Sequence, residues 1–239
     1  MSSITWTPDA VSSEARNRSE TIWRIVESQH TASTMKLVDT LAEQDLLEEI
    51  IEESKPPVPH EARDLDYLLA TPFRYVPFQP GSRFRSPSDP GVFYGAESVR
   101  TAAAEVGYWR WIFLLETEGL DRLGPASHTA FSVPISASAV DLRTPPFDRS
   151  SADWTNPHEY GATQAFARIA REAGIEAIFY LSVRAPEQSW CAALLTAKAF
   201  ASKRPDKETQ TWHLLVTRDE AIWRREAGAT FSFLTSHWM

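Results

Sequence analysis

The sequence predicts an α+β fold with a mixed or antiparallel β core and surrounding helices. Strand-like and helical runs alternate irregularly, with few of the strand–helix–strand repeats that build a parallel sheet. A chain of 239 residues, 43% of them hydrophobic, can bury a full core without disulfides. The single cysteine, Cys191, lies in an apolar run and indicates a buried structural thiol.

Residues 1–59 are predicted as a helical N-terminal extension and residues 60–239 as the main domain. Apolar positions at helical spacing predict a helix over residues 20–30. A second helical region is predicted to start at a cap at Ser33 or Thr34 and to end before the prolines of residues 56–59. We expect this extension to pack against the main domain or to bind a partner.

The main domain should contain short strands and two long helices. A helix is predicted from Ser98, with Glu105 at the flank of its apolar stripe, and another over residues 158–173, ended by Gly174. A long polar loop is predicted over residues 141–157. Strand-like runs cover residues 73–78, 84, 92–94, 129–135, 175–183, 190–200, 211–217 and 230–234.

Charge and composition exclude several classes of function. A net charge of −8 argues against a nucleic-acid partner. Residues 1–20 contain no apolar segment of the signal-peptide kind, and the most apolar stretch, 108–115, is too short for a membrane span. His30 and His60 lack metal-ligand spacing, and no cysteine-based zinc site is possible. We therefore expect a cytoplasmic protein without a metal.

The stretch from residue 71 to residue 105 concentrates arginines, aromatic rings and one carboxylate. Arginine binds phosphate oxygens bidentately, and tyrosine rings stack on planar heterocycles. A glutamate beside an apolar cleft can stabilise a sugar cation. No glycine-rich phosphate loop occurs, so side chains would have to hold a nucleotide. The stretch predicts a site for a phosphorylated nucleoside whose glycosidic bond is attacked.

An ordered set of motifs in this chain resembles the RES domain. The motifs are Arg74-Tyr75, then Tyr94-Gly95-Ala96 followed by Thr101-Ala102 and Glu105, then Tyr180-Leu181-Ser182-Val183-Arg184. The family is named for an Arg, a Glu and a Ser, which correspond here to Arg74, Glu105 and Ser182. The resemblance covers roughly residues 70–235. The N-terminal helices and Ser54-Lys55-Pro56 further resemble the ParT subgroup of ParST systems.

The resemblance implies a fold similar to the diphtheria-toxin-like ADP-ribosyltransferases. It also implies a toxin of a type II toxin–antitoxin module, paired with an Xre/MbcA/ParS-type antitoxin, that consumes NAD⁺ as its substrate. The ParT-like branch transfers ADP-ribose onto a ribose-phosphate pyrophosphokinase. Other members hydrolyse or phosphorolyse NAD⁺, and this alternative stays open, as does a non-enzymatic binding module.

Residue roles follow from this resemblance, each with a structural alternative. Glu105 would hold the ribose next to nicotinamide and favour its developing positive charge, or else be a solvated helix residue. Tyr75 and Tyr94 would sandwich the nicotinamide, or else be core aromatics. Arg74, read as a strand residue among apolar neighbours, would contact the phosphates or the ribose.

The remaining candidates concern phosphate binding and positioning. Arg83 and Arg85 alternate with Phe84, so they are expected to share one strand face, where one would bind phosphate; the alternative is an exposed cationic edge. Ser182 would hydrogen-bond NAD⁺ or position Arg74. It lacks a triad-like His and Asp, which argues against a serine nucleophile. Arg184 is expected to be a structural ion-pair partner.

Overall fold

The fold is an eight-stranded sheet with helices on both faces, as seen in a computed structural model that describes residues 5–28, 38–75, 81–226 and 228–239. The strands are β1 Arg16–Glu27, β2 Phe93–Ala96, β3 Arg122–Asp141, β4 Ala177–Leu181, β5 Trp190–Leu194, β6 Gln210–Thr217, β7 Glu220–Arg225 and β8 Thr230–Leu234. The helices are α1 Pro8–Ser13, α2 Leu41–Ser54, α3 Tyr67–Arg74, α4 Val99–Glu116, α5 Ser151–Trp154 and α6 Gly161–Glu172.

Five of the strands pair in a closed ring. The strand order is β1-β2-β5-β4-β3-β6-β7-β8, and β1 also pairs with β3. Strand β3 is long enough to pair with β1 over residues 128–139, with β6 near its start and with β4 at its end. The β3–β4 pair is parallel, and the other pairs in the described sheet are antiparallel. The predicted α+β fold with a mixed sheet is confirmed.

Helices α3 and α4 cover opposite faces of this ring. Side chains of α3, including Leu69 and Phe73, pack with Phe93 and Phe131 in one buried cluster. Helix α4 packs in a second cluster, which contains Tyr108 and most of the buried tryptophans. Since successive strand residues point to opposite faces, β1 contributes to both clusters.

The sequence of α4 explains its position close to the sheet. Ser98 caps the helix, its hydroxyl accepting the Thr101 N–H at 3.1 Å. Thr101 to Ala104 and Gly107 are buried, and these small residues let the helix approach its neighbours. A Cβ atom at Gly107 would lie 3.2 Å from the Trp238 ring, so glycine provides the space for that ring. The predicted helix from Ser98 is confirmed, and Glu105 lies near its middle.

The predicted helix over residues 20–30 is wrong where the structure describes it. Residues 16–27 form β1, which pairs with β3 at twelve consecutive positions. Ile22, Ile25 and Val26 fit helical spacing, but β-branched residues also favour a strand, and a long partner strand decides between the two. The sheet therefore takes one strand from the segment predicted as a helical extension.

The later part of that segment is helical as predicted. Helix α2 begins after Thr40, which forms a capping box with Glu43. The predicted caps at Ser33 and Thr34 lie outside the described residues.

The strand predicted over residues 73–78 is wrong at its start. Phe73 and Arg74 belong to α3, which Asp66 caps by accepting the Leu68 N–H. Residues 76–78 lie outside the described part of the chain. Residues 82–85 form a tight turn closed by a Ser82–Arg85 bridge, so Arg83 and Arg85 do not share a strand face.

The second half of the chain follows the prediction more closely. Helix α6 is confirmed, and Gly174 beyond its end has a φ of +73°, which suits glycine. The region predicted as a loop over residues 141–157 contains a 3-10 turn, Phe147–Ser150, and the short α5. Strand β7 was not predicted.

Candidate active site

A cleft of about 610 Å³ opens between β1, β2, α4 and the 82–85 turn. This volume is within the range of sites that bind small molecules. Its lining residues are Trp23, Arg24, Ile25, Gly81, Ser82, Arg83, Tyr94, Gly95, Ala96, Ala102, Glu105, Val106, Trp109, Arg110, Tyr160, Tyr180, Arg184 and Cys191. Four arginines and one glutamate are therefore the charged residues among the described lining.

A hydrogen-bonded pair, Glu105 and Ser182, lies at this cleft. The Ser182 hydroxyl donates to Glu105 Oε1 at 2.6 Å, although 77 residues separate them in the chain. The other carboxylate oxygen, Oε2, has no protein hydrogen-bond partner among the described residues. The serine therefore fixes one oxygen of the carboxylate, and the second oxygen can contact a ligand.

The backbone after β4 holds the Ser182 hydroxyl in place. Its oxygen accepts the N–H groups of Arg184 at 3.3 Å and Ala185 at 3.2 Å. The Ser182 N–H donates in turn to the Ser189 carbonyl. Because the hydroxyl oxygen accepts from two amides, its proton is directed to Glu105.

Two neutral groups lie beside Glu105. Cys191 Sγ is 3.9 Å from Glu105 Oε1, within reach of a weak S–H hydrogen bond. Burial raises the pKa of the Cys191 thiol well above its usual value, and it raises the pKa of Tyr180 in the same way. Both groups stay protonated at neutral pH, so neither adds negative charge beside Glu105.

Arg24 of β1 carries a guanidinium that has no carboxylate partner among the described residues. Its Nη1 donates to the Tyr94 carbonyl at 2.7 Å, and the group lies 4.8 Å from the centre of the Phe93 ring. Its Nε is buried and has no hydrogen-bond partner within the part of the chain that the structure describes. Burial lowers the pKa of Arg24 to about 10, so it remains a cation at neutral pH.

Arg83 is fixed by the turn that carries it. Its Nη1 donates to the carbonyls of Trp154 and Asn156, each at 2.9 Å, and its guanidinium lies 4.8 Å from the centre of the Tyr160 ring. These carbonyls orient Arg83, which forms no ion pair with a carboxylate among the described residues.

The other two cleft arginines have different partners. Arg184 lies 3.4 Å from the centre of the Tyr108 ring and donates to the Pro157 carbonyl, which replaces the predicted ion pair. Arg110 pairs with Glu27 at 3.4 Å on the rim. Within the described residues, three of the four cleft guanidiniums therefore have no carboxylate partner, and they make the cleft attractive to anions in a protein whose net charge is −8.

Tyr94 ties the turn to the sheet. Its hydroxyl accepts the Phe84 N–H at 2.9 Å and lies 2.9 Å from the Ser82 hydroxyl. Burial raises the pKa of Tyr94, so its hydroxyl stays protonated. The ring lines the cleft while the hydroxyl orders the turn that presents Arg83.

The structure brings four of the seven predicted site residues together: Glu105, Arg83 and Tyr94 line the cleft, and Ser182 joins them through its hydrogen bond to Glu105. Three others lie outside the described lining of the cleft. Arg74 ends α3, pairs with Glu52 at 2.7 Å and donates to the Pro56 carbonyl. Tyr75 follows it and is exposed, and Arg85 donates to the Asp89 carbonyl at 3.1 Å. The arrangement therefore does not place Tyr75 opposite Tyr94.

The sequence reasoning missed Arg24 and Tyr160. Arg24 was hidden by the helical interpretation of residues 20–30. A signal was present, because Trp23-Arg24-Ile25 places a charge between apolar residues in a segment rich in β-branched side chains. Tyr160 precedes α6 in an irregular segment, where no periodicity marks it.

Two further observations concern metals and membranes. Among the described residues, no three His, Cys, Asp or Glu side chains are grouped as metal ligands. No helix in the described part of the chain is long and apolar enough to cross a membrane.

Comparisons with known proteins place these features in context. A family model described as the RES domain matches residues 58–217. The fold is similar to the crystal structure of the M. tuberculosis MbcT–MbcA toxin–antitoxin complex, with a TM-score of 0.48 and 10% sequence identity. That alignment covers 97% of this chain and 93% of the other. No protein of curated function matches the sequence.

Proposed function

Because the chain belongs to the RES-domain family, we propose that it is the toxin of a toxin–antitoxin module that acts on NAD⁺. In this proposal it cleaves the nicotinamide–ribose bond and transfers ADP-ribose to a protein. The observation that carries the proposal is the Glu105–Ser182 pair beside a cleft in which three guanidiniums lack a described carboxylate partner. A carboxylate with one fixed oxygen suits a reaction in which positive charge develops on a sugar.

The cleft has groups suited to each part of NAD⁺. Its two phosphates are anionic, and Arg24 and Arg83 are the cations that we assign to them. The nicotinamide ring is planar, and we assign Tyr94 and Tyr160 to contact it. The ribose would then lie near Glu105.

The chemical step requires little from the protein besides orientation and charge. The C–N bond between ribose and nicotinamide breaks, and its electron pair leaves with nicotinamide, which becomes neutral. The ribose carbon gains oxocarbenium character, which the Glu105 carboxylate stabilises. A nucleophile of the acceptor protein attacks this carbon and loses its proton. The hydrogen bond from Ser182 keeps the carboxylate oriented through the step.

The acceptor and partners are proposed from the resemblance to the ParT-like branch. We propose a ribose-phosphate pyrophosphokinase as the acceptor and an Xre/MbcA/ParS-type antitoxin as the inhibitor, both in the cytoplasm. The same cleft could instead direct ADP-ribose to water or phosphate, because the bond cleavage precedes the choice of nucleophile.

Labelled NAD⁺ tests the proposal. The purified protein is incubated with NAD⁺ labelled in its adenylate part, with and without a purified ribose-phosphate pyrophosphokinase. Release of nicotinamide together with a labelled acceptor band supports transfer, whereas free ADP-ribose alone replaces transfer by hydrolysis, and ADP-ribose phosphate replaces it by phosphorolysis. If no nicotinamide is released, the result supports a non-enzymatic binding module instead.

Glu105→Gln provides the matching variant. It keeps the size of the side chain and removes its charge, so nicotinamide release should fall at least about 100-fold. The control is Glu97→Gln, because Glu97 accepts the Trp190 N–H outside the cleft. Equal activity in the two folded variants would contradict the role of Glu105.

A further inference from the structure

The tryptophan near the end of the chain, Trp238, contacts the loop that carries Ser182. Trp238 is 3% exposed, and its indole N–H donates to the Arg184 carbonyl at 2.9 Å. Arg184 lies two residues after Ser182, and its own N–H donates to the Ser182 hydroxyl. A chain of three hydrogen bonds therefore runs from Trp238 through Arg184 and Ser182 to Glu105.

The Trp238 ring is fixed on its other sides. It packs edge-on against Tyr108 of α4, with ring centres 5.9 Å apart, and it also contacts Trp111 and Phe233. Gly107 lies against the ring, since a Cβ there would come within 3.2 Å of it. Tyr108 carries the Arg184 guanidinium on its ring face. One aromatic cluster thus contacts both the backbone and the side chain of Arg184.

The segment before Trp238 is anchored independently of the cleft. Its 3-10 turn, Thr235–His237, is bound to the β6–β7 turn by two hydrogen bonds. The Thr235 N–H donates to the Asp219 backbone carbonyl, and the Thr235 hydroxyl donates to the Arg218 backbone carbonyl at 2.7 Å. The backbone N–H of Trp238 closes the turn by donating to the Thr235 carbonyl at 2.9 Å. The indole is therefore held by strands that do not line the cleft.

We infer that Trp238 is a positioning residue for the Ser182–Glu105 pair, acting through the backbone of Arg184. This inference rests on the proposed function for its catalytic consequence. It extends the site to residues 218–239, which lie beyond the RES-domain match at residues 58–217. Loss of the indole N–H frees the Arg184 carbonyl, and the loop then holds the Ser182 hydroxyl less firmly.

Trp238→Phe removes the indole donor and keeps an aromatic ring. Trp212→Phe is the matched control, because Trp212 is also a buried tryptophan but donates its indole N–H to Gln210 Oε1 at 3.0 Å and packs on Phe231, away from Trp238 and from residues 182–185. Two measurements are made on each full-length variant: kcat and KM for nicotinamide release, and hydrogen–deuterium exchange of the peptide covering residues 182–185. The exchange measurement needs no activity.

Trp238→Phe should lower kcat about 10-fold with KM changed less than about twofold, since positioning affects the reaction more than binding. It should also speed amide exchange in residues 182–185. Trp212→Phe should do neither. Unchanged exchange and kcat in Trp238→Phe, or equal changes in both variants, would overturn the inference.

Two outcomes need a separate test: a wild-type protein without activity, and a Trp238→Phe variant that does not fold. If the wild-type protein releases no nicotinamide, the proposed function fails, and the exchange rates alone decide whether Trp238 positions the serine loop. If Trp238→Phe does not fold, Gly107→Ala replaces it, because a methyl group 3.2 Å from the indole makes the ring shift by a few tenths of an ångström and so weakens its hydrogen bond to the Arg184 carbonyl. Faster exchange in residues 182–185 of that variant supports the inference, and unchanged exchange contradicts it.

Discussion

Ser182→Ala tests whether the serine acts through Glu105. The change removes one hydrogen bond of 2.6 Å to a carboxylate oxygen and leaves the volume almost unchanged. A hydrogen bond to a charged group contributes about 1.5–3 kcal/mol. Because each 1.36 kcal/mol changes a rate tenfold, kcat for nicotinamide release should fall about 10- to 150-fold if the bond is fully used in the transition state.

The KM for NAD⁺ should change much less than kcat in this variant. The Ser182 hydroxyl contacts Glu105 and two loop amides, whereas we assign phosphate binding to Arg24 and Arg83. Initial rates over a range of NAD⁺ concentrations separate the two constants. A rise in KM with unchanged kcat would instead indicate that Ser182 contacts the substrate in its ground state.

A second serine supplies the control. Ser132 of β3 donates to Asp206 at 2.5 Å in the same kind of serine–carboxylate bond, outside the cleft lining. Ser132→Ala should lower thermal stability as much as Ser182→Ala, or more, while leaving kcat unchanged. The reasoning is refuted if folded Ser182→Ala keeps wild-type kcat, or if Ser132→Ala loses as much activity.

Three more predictions follow from the charges. Arg24→Met should raise the KM for NAD⁺ about tenfold or more, because it removes a cation from the cleft. An unchanged KM in steady-state kinetics would show that Arg24 does not bind the substrate. Arg74→Ala should keep nicotinamide release within about threefold of wild type, because Arg74 pairs with exposed Glu52, and a loss beyond tenfold would return it to the site. Burial by itself would raise the pKa of Asp141, but hydrogen bonds from Arg143 outweigh it and lower that pKa. The ionised carboxylate therefore stabilises the folded protein above the unfolded pKa of about 3.9, and this stabilisation is lost as pH falls through the folded value. Asp141→Asn should therefore flatten the acid limb of a plot of unfolding free energy against pH, and an unchanged limb would contradict this.

Glu105 could be found from the sequence because its surroundings are local. Ser98 caps the helix, and small residues lead into an apolar stripe with Glu105 at its flank. Ser182 could be found only through the order of the family motifs, since nothing in its own strand indicates a carboxylate 77 residues away. The hydrogen bond between them is a consequence of tertiary structure.

The arginines could not be ranked from the sequence. Arg74, Arg83 and Arg85 all occur beside aromatic residues in one short stretch, so composition treats them alike. Their different positions arise from the Asp66 cap, which starts a helix that ends at Arg74, and from the Tyr94 hydroxyl, which orders the turn at Arg83. Both causes are side-chain hydrogen bonds, which the spacing of apolar residues along the sequence does not reveal.

Strand β1 shows a different limit of the sequence pattern. Ile22, Ile25 and Val26 satisfy both a helical and a strand interpretation, and the pattern alone does not decide between them. The decision comes from β3, more than 100 residues later, which offers twelve pairing positions. The mistaken helix concealed Arg24, so one error in secondary structure caused one error in the site.

The closure of the strand ring explains why these segments meet at one cleft. Strands β1 and β2 pair at a single position, Trp23 with Ala96, so the ring is held there by little backbone pairing. Beside that position, the Arg24 guanidinium donates to the Tyr94 carbonyl and joins the two strands through a side chain. A backbone hydrogen bond between two strands carries no net charge, whereas this side-chain contact places a positive charge at the cleft. The point at which the ring closes is thus also the point at which the protein can hold an anion.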